Sequence, residues 1–373
     1  MIVKIRNWWR GRMIEVLCLI LVLQFACVPA GARQFRQALP GYHYSFPQDH
    51  FSHDQFKTEW WYFTGHLHGD KQRVFGYELT FFRTGLNQDD NDRSLWNLRN
   101  IYLAHFAVTD DAGHKFYFRE KMNRAGLGVA GADQHSGHVF NQTWSMDLKG
   151  DQFLLKADTP EYALNLALKP TKQLVIHGKD GVSQKASCKG CASHYYSFTR
   201  MQTAGSISVD HYPIPVQGTS WMDHEFGSNQ LTAQQVGWDW FSLQLSNNSE
   251  VMLYLMRNVD GTIDSNSSGT LVNADGSVKH LALSEFSVRK LGEWKSARTG
   301  GVYPMGWQIL IPSAHAELKI EPVMKEQELV TSGAGVTYWE GASKISGTCN
   351  KADVTGEAYV EMTGYAEKFR ENI

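Results

Sequence analysis

Short runs of alternating or aromatic and β-branched residues, broken by glycine, aspartate and asparagine turns, fill most of this chain. "EWWYFTGHLH", "VFGYELTFFR", "NIYLAHFAVTD", "KFYFRE", "FLLKAD", "YALNLALKP" and "LVIHGKDG" follow one another from Glu59 to about Gly181. Each has the length and composition of a strand. A helix would need apolar residues recurring every three or four positions over a dozen residues, and that periodicity is hard to find here. Evenly spaced short strands leave edges that must be paired, and antiparallel sandwiches and barrels do this by closing on themselves. The expected fold is all-β.

The pattern changes around "DHYPIPVQGTSWMDHEFGS", where two prolines and several small residues interrupt it. A second strand series follows. "GWDWFSLQLSNNSEVMLYLMRNVDGTI" reads as a hairpin turning at Ser246 to Ser249, and "TLVNADGSVKHL" as another with Asp275-Gly276 at its tip. The break lies between about residues 215 and 235, so the expected domains are 33–225 and 226–373.

The N-terminus carries Lys4, Arg6, Arg10 and Arg12, then the apolar run "VLCLILVLQFACV" and the small-residue exit "AGA". This is the pattern of a secretory signal peptide over residues 1–32, with cleavage after Ala32 and a periplasmic or secreted product. A membrane anchor fits less well because the apolar run is short. Lipidation of Cys27 fits less well because Gln24 and Phe25 sit badly in a lipobox. Loss of four basic residues and one acidic residue would take the net charge from −2 to −5. Nothing in that charge points to nucleic acid. Cys188 and Cys191 in "CKGCASH" have no second CxxC to complete a zinc site, and we expect a small loop disulfide in an oxidising compartment, with Cys349 unpaired.

Several long motifs, in order, carry a resemblance. "FPQDHFSHDQFKTEWWYFTGHL", "ASHYYSFTR", "GTSWMDHEFGS", "GWDWFSLQL", "TYWEGA" and "GEAYVEMTGY" resemble the AttH-like family, often labelled secreted hydrolases, from about Phe46 to Tyr365. The family is related to the carotenoid 1,2-hydratases (hydroxyneurosporene synthases) and, more distantly, to fungal Diels–Alderases. The resemblance implies two lipocalin-like antiparallel β-barrel domains with a hydrophobic-ligand pocket in or between them. It does not fix an activity, because these relatives do different chemistry on one scaffold.

On a strand, successive side chains point to opposite faces. Glu59 therefore shares a face with Trp61 and Phe63, and Trp60 with Tyr62. In "WMDHEF", Trp221, Asp223 and Glu225 go together, with Met222, His224 and Phe226 opposite. In "GWDWF", Trp238 and Trp240 face away from Asp239 and Phe241. Aromatic walls suit a flat or polyene-like apolar ligand, and a carboxyl among them would have a raised pKa and be able to donate a proton. The candidate ligand-binding residues are Trp60, Trp61, Tyr62, Trp221, Trp238 and Trp240. The candidate acid and base residues are Asp223, His224 and Glu59.

A plainer reading stands beside each. Barrel tryptophans usually form core, and an acid beside one often ties down an arginine such as Arg83, Arg200 or Arg257. By that reading Glu340 in "YWEGA" and Glu361 in "VEMTGY" are structural. His50, His53, His66 and His68 lack an HExxH pattern, read as scattered surface histidines, and leave no metal or cofactor expected. The G-x-S-x-G elbow of a serine hydrolase is also absent. The expected partner is a hydrophobic small molecule, with peripheral membrane association as one way to reach it. Two functions follow: an exported carrier of a lipid- or isoprenoid-like molecule, slightly favoured, and a hydratase- or cyclase-type lyase or isomerase acting on such a molecule.

Overall fold

A computed structural model describes residues 34–86, 97–229, 231–331 and 336–369. The expected signal peptide, residues 1–32, lies outside them. Among the described residues thirteen strands form one antiparallel sheet and ten form a second, and the helices are single 3-10 turns. Both sheets curl into barrel-like domains. In the first, Thr58–His68 lies between Val74–Gly85 and Tyr212–Asn229, with Asn100–Asp110 and Ala192–Val209 one strand further out on either side. In the second, Gln235–Leu245 lies between Glu250–Asn258 and Ala352–Thr363, and Tyr338–Cys349 follows. The first sheet thus ends at Asn229 and the second begins at Gln235. The two hairpins read from sequence turn where expected, between Leu245 and Glu250 and between Val272 and Val278.

Strand alternation decides where each side chain goes. Trp61, Phe63, Leu79, Phe81, Phe106 and Met222 fill the interior of the first barrel. Phe241, Leu253, Trp307, Trp339 and Val360 fill the second. The neighbours of these residues point the other way, into a third cluster drawn from both domains that includes Tyr62, Tyr195, Trp221, Trp240, Tyr254 and Tyr359. Each large side chain taken from water contributes about 2–3 kcal/mol, so the strands are stabilised on both faces.

The approach of the two outer faces is close. A Cβ on Gly76 would lie 2.5 Å from the Cβ of Ala342 in the opposite domain, so only glycine fits there. Polar pairs cross the junction as well: Thr109 Oγ1 donates to Gln327 Oε1 at 2.7 Å, and Gln244 Nε2 to the carbonyl of Thr199 at 2.8 Å. Cys188 and Cys191 form the loop disulfide, and Cys349 is a buried free thiol.

A buried ion cluster clamps one end of the junction. Glu250 of the second domain is fully buried and receives Arg200 Nε at 2.6 Å and Lys172 Nζ at 2.8 Å, both from the first domain. Removing one partner of such a cluster strands the others without counter-charge. Glu250→Gln should therefore destabilise the protein by about 3–5 kcal/mol in chemical denaturation at neutral pH. A change within experimental error would show that the clamp carries no net stability.

Candidate active site

Five adjacent strands of the first sheet bring two rows of side chains to the junction. Ser197, Asp223, Tyr62, Thr80 and His105 are successive cross-strand partners, and so are Tyr195, Glu225, Trp60, Phe82 and Leu103. The second sheet answers with the row Tyr254, Trp240, Glu361 and Glu340. Between these faces lies a cavity of about 160 Å³. Trp60, Tyr62, Trp238, Trp240 and Asp223 all line it.

Asp223 is the most connected acid of this wall. Tyr195 donates to Oδ2 at 2.7 Å, Trp221 Nε1 donates to Oδ1 at 2.6 Å, and the Ser197 hydroxyl donates to Oδ1. Behind it, His177 Nε2 lies 2.7 Å from Ser197 Oγ. Burial raises the Asp223 carboxyl more than these donors lower it, to about 7. No cation pairs with Asp223 at ion-pair distance among the described residues, whereas the neighbouring Glu225 holds Lys185 Nζ at 3.0 Å.

Glu361 and Glu340 oppose each other on paired strands. Trp238 Nε1 donates to Glu361 Oε2 at 2.8 Å, and the Tyr62 hydroxyl crosses the junction to Glu340 Oε1 at 2.7 Å. Burial, then the negative charge of Glu225 and Asp223, pushes Glu361 up to about 7. Burial and the Glu361 charge hold Glu340 well above the usual carboxylate range. The pocket therefore combines aromatic walls with two acids raised to about 7 and a third shifted in the same direction.

Glu59 and His224 have a different environment. Glu59 is fully buried, with Oε2 3.0 Å from Arg83 Nε and Oε1 2.7 Å from His53 Nδ1 and 2.9 Å from His224 Nε2. Burial would raise its pKa, but the charges of His53 and Arg83 and the His224 bond outweigh it and hold the carboxyl well below its ordinary range. Arg83 also donates to the carbonyls of His53 and Phe56, tying the chain before the first strand onto the sheet. The ligand atoms of His53, Glu59 and His224 lie within 4.8 Å of one another, a spacing that suits a metal ion. The Arg83 guanidinium already supplies the positive charge there, and the three side chains are saturated by hydrogen bonds. His224 Nδ1 meets the Tyr196 hydroxyl at 2.8 Å, and its ring stacks on Trp61 at 4.8 Å between centroids.

The structure thus separates the candidates. Asp223 faces the pocket and His224 faces the barrel side of the same strand, so the two do not act on one ligand. Glu59 borders the cavity with its carboxylate engaged by Arg83. Trp61 packs in the barrel core, and Trp221 stands behind the wall as a donor to Asp223. The expectation of surface histidines is corrected for His50, His53 and His66, all buried. Each is placed by a polar partner that sequence does not show, such as Tyr196 for His50 and the carbonyl of Ala358 for His66. Sequence reasoning set Glu340 and Glu361 aside as structural and passed over Tyr195 and Lys185. The only available signal was the sharing of Glu340, Glu361 and Tyr195 among the quoted aromatic motifs.

A family model described as AttH-like matches residues 37–365, and the chain belongs to that family. The solved structure of an AttH from Nitrosomonas europaea is similar, with 32% identity and a TM-score of 0.81 over 89% of this chain and 99% of that one. Kievitone hydratase from Nectria haematococca shares the fold at 13% identity, with a TM-score of 0.70 over 90% and 96% of the two chains. The structure of CghA with Sch210972 shares it more loosely, at 12% identity and a TM-score of 0.52 over 90% and 98%. In sequence, the kievitone hydratase of Fusarium solani subsp. phaseoli is 26% identical over 165 residues, which span 42% of this chain and 43% of that relative.

The two classes of buried acid respond oppositely to neutralisation. Glu361 binds its proton more tightly folded than unfolded, so the wild type loses stability as pH rises from about 4.5 to about 7. Glu361→Gln removes that loss and should be more stable than wild type at pH ~8, by on the order of 2–3 kcal/mol, with no gain below pH ~4.5. Glu59→Gln should instead cost about 3–5 kcal/mol at pH ~8, because Arg83 and His53 lose their counter-charge. Thermal melts of both variants across pH check the pair of outcomes.

Proposed function

We propose that this protein is an exported lyase or isomerase, of hydratase or cyclase type, that takes an apolar, lipid- or isoprenoid-like molecule into the interdomain pocket. The observation that carries this reading is Asp223, a buried carboxyl with no cation at ion-pair distance, balanced between its two protonation states and set against Tyr62 and Trp240. A carrier gains nothing from burying a carboxyl in this way, since charge among aromatic walls weakens apolar binding. Kinship with a fold that kievitone hydratase shares supports the same class, and the N-terminal leader pattern supports export.

The chemistry follows from the groups present. Protonated Asp223 gives its proton to one carbon of an alkene, and the cation formed at the other carbon lies among aromatic faces that stabilise positive charge. Water adding to that cation completes hydration when ionised Glu361 takes the released proton. Loss of a different proton from the same cation gives isomerisation. In both cases Glu361 takes the released proton, Asp223 is left ionised, and proton exchange with solvent restores the starting state, so no external reductant or oxidant enters.

Incubation with a panel of isoprenoid alkenes in D2O, read by mass spectrometry, tests this. The wild type should place deuterium on carbon, and the rate should peak at about pH 7, falling above it as Asp223 loses its proton and below it as Glu361 gains one. Asp223→Asn should lower the rate by about 10²–10⁴-fold while ligand quenching of tryptophan fluorescence changes little. Binding without exchange at any pH from roughly 5 to 8 would establish the carrier reading instead.

A further inference from the structure

One wall of the pocket holds a donor with no acceptor. His105 lies at the end of the Tyr62–Thr80–His105 row and is 1% exposed. Its Nδ1 is 2.6 Å from the hydroxyl of Tyr338, across the domain junction. Among the described residues that hydroxyl has no other hydrogen-bond acceptor, so it donates and Nδ1 accepts. This fixes the imidazole proton on Nε2. Among the described residues Nε2 is buried and has no hydrogen-bond partner.

Packing prevents an easy escape from this state. The ring is stacked on Tyr338 at 5.6 Å and flanked edge-on by Phe82 at 5.2 Å and Phe118 at 5.4 Å. Rotation to bring Nε2 elsewhere would break the Tyr338 bond. Burial pushes the imidazole down to about 4, so it is a neutral N–H donor at physiological pH. A buried donor left without an acceptor costs about 1–3 kcal/mol, which an arriving acceptor would recover. Both His105 and Tyr338 line the cavity, and so does Glu340, two residues further along the Tyr338 strand. Its carboxyl adds a second polar group to this corner. Trp238, Trp240 and Met256 supply the apolar remainder of the wall.

We propose that His105 Nε2–H receives the oxygen of an otherwise apolar ligand, so that the substrate class is an oxygenated isoprenoid-like molecule bearing a carbonyl or hydroxyl group. The inference rests on the interdomain pocket being the ligand site, as in the reading above, but it does not require turnover. Seated on His105, such an oxygen fixes which stretch of the apolar chain lies against Asp223. His105 is then a specificity-determining residue rather than an acid or base.

Farnesal, farnesol and farnesene provide one chain with a carbonyl, a hydroxyl and neither. Titration of the full-length protein with each, read by tryptophan quenching, should show the two oxygenated probes binding about three- to tenfold more tightly than farnesene, the range of one net hydrogen bond. His105→Phe keeps an aromatic ring among Phe82, Phe118 and Tyr338 and should abolish that preference while farnesene binding stays the same. His105→Gln, which keeps an N–H donor, should restore part of it. Melting temperatures of both variants separate loss of fold from loss of the donor. An unchanged affinity ratio in a folded His105→Phe protein, a folded His105→Gln protein with no preference left, or equal affinities in the wild type, would overturn the inference and leave the pocket intact. Failure of all three probes to bind the wild type would overturn the pocket reading itself and this inference with it.

Discussion

Strand alternation with apolar residues on both faces is the constraint from which the architecture follows. A free-standing barrel of antiparallel strands keeps its apolar residues inside and turns polar ones to water. "TEWWYF" cannot do that, because Trp61 and Phe63 on one face are matched by Trp60 and Tyr62 on the other. "GWDWF" in the second domain has the same property, with Phe241 inward and Trp238 and Trp240 outward. Each sheet needs a second apolar surface, and the outer face of its sister supplies it. The pocket lies where two curved outer faces meet imperfectly, and the barrel interiors are packed with side chains. In this chain the cavity lies between the two barrels.

Six buried acids of this protein fall into two groups distinguished by their counter-charges. Glu59 has Arg83, Glu250 has Arg200 and Lys172, and Asp239 has Arg257 at 3.0 Å and Lys290 at 3.3 Å. These pairs join segments distant in sequence and tolerate burial because each charge is compensated. Asp223, Glu340 and Glu361 are buried as deeply and receive hydroxyl or indole donors instead of cations. Such groups cost stability whenever they ionise. These three line one cavity from its two faces, which is the arrangement expected of a site and not of a core.

The fold was largely legible because it rests on local signals: strand-like runs, turn residues and the aromatic motifs that carry the family resemblance. The separation of Asp223 from His224 was legible for the same reason, since alternation alone sends them to opposite faces. What sequence could not show was which faces meet. The hydrogen bond between Tyr62 and Glu340 joins positions 278 residues apart, and no local pattern marks it. For the same reason Glu340 and Glu361 read as structural acids in sequence and as pocket acids once the second sheet is set against the first. His53 and His66 read as surface residues because nothing nearby in sequence announces their buried partners. The arginine expected to tie down Glu59 was legible as a type of partner. Its identity required the pairing of Glu59 with Arg83 across two adjacent strands.

The contacts that join the domains are also the contacts that tune the site. Tyr62 of the first domain sets the hydrogen bonding of Glu340 in the second, and Tyr338 of the second sets the tautomer of His105 in the first. Proton positions in the pocket therefore depend on the relative placement of the two sheets. A shift large enough to break either bond would free a buried carboxyl or imidazole and change its charge preference. The Glu250 clamp, the polar pairs and the Cβ-free approach of Gly76 to Ala342 oppose such a shift. Rigid docking of two barrels thus does for this site what a rigid single-barrel wall does for an internal one: it holds ionisable groups away from water in fixed hydrogen-bonding partnerships, where their pKa values suit proton transfer near neutrality.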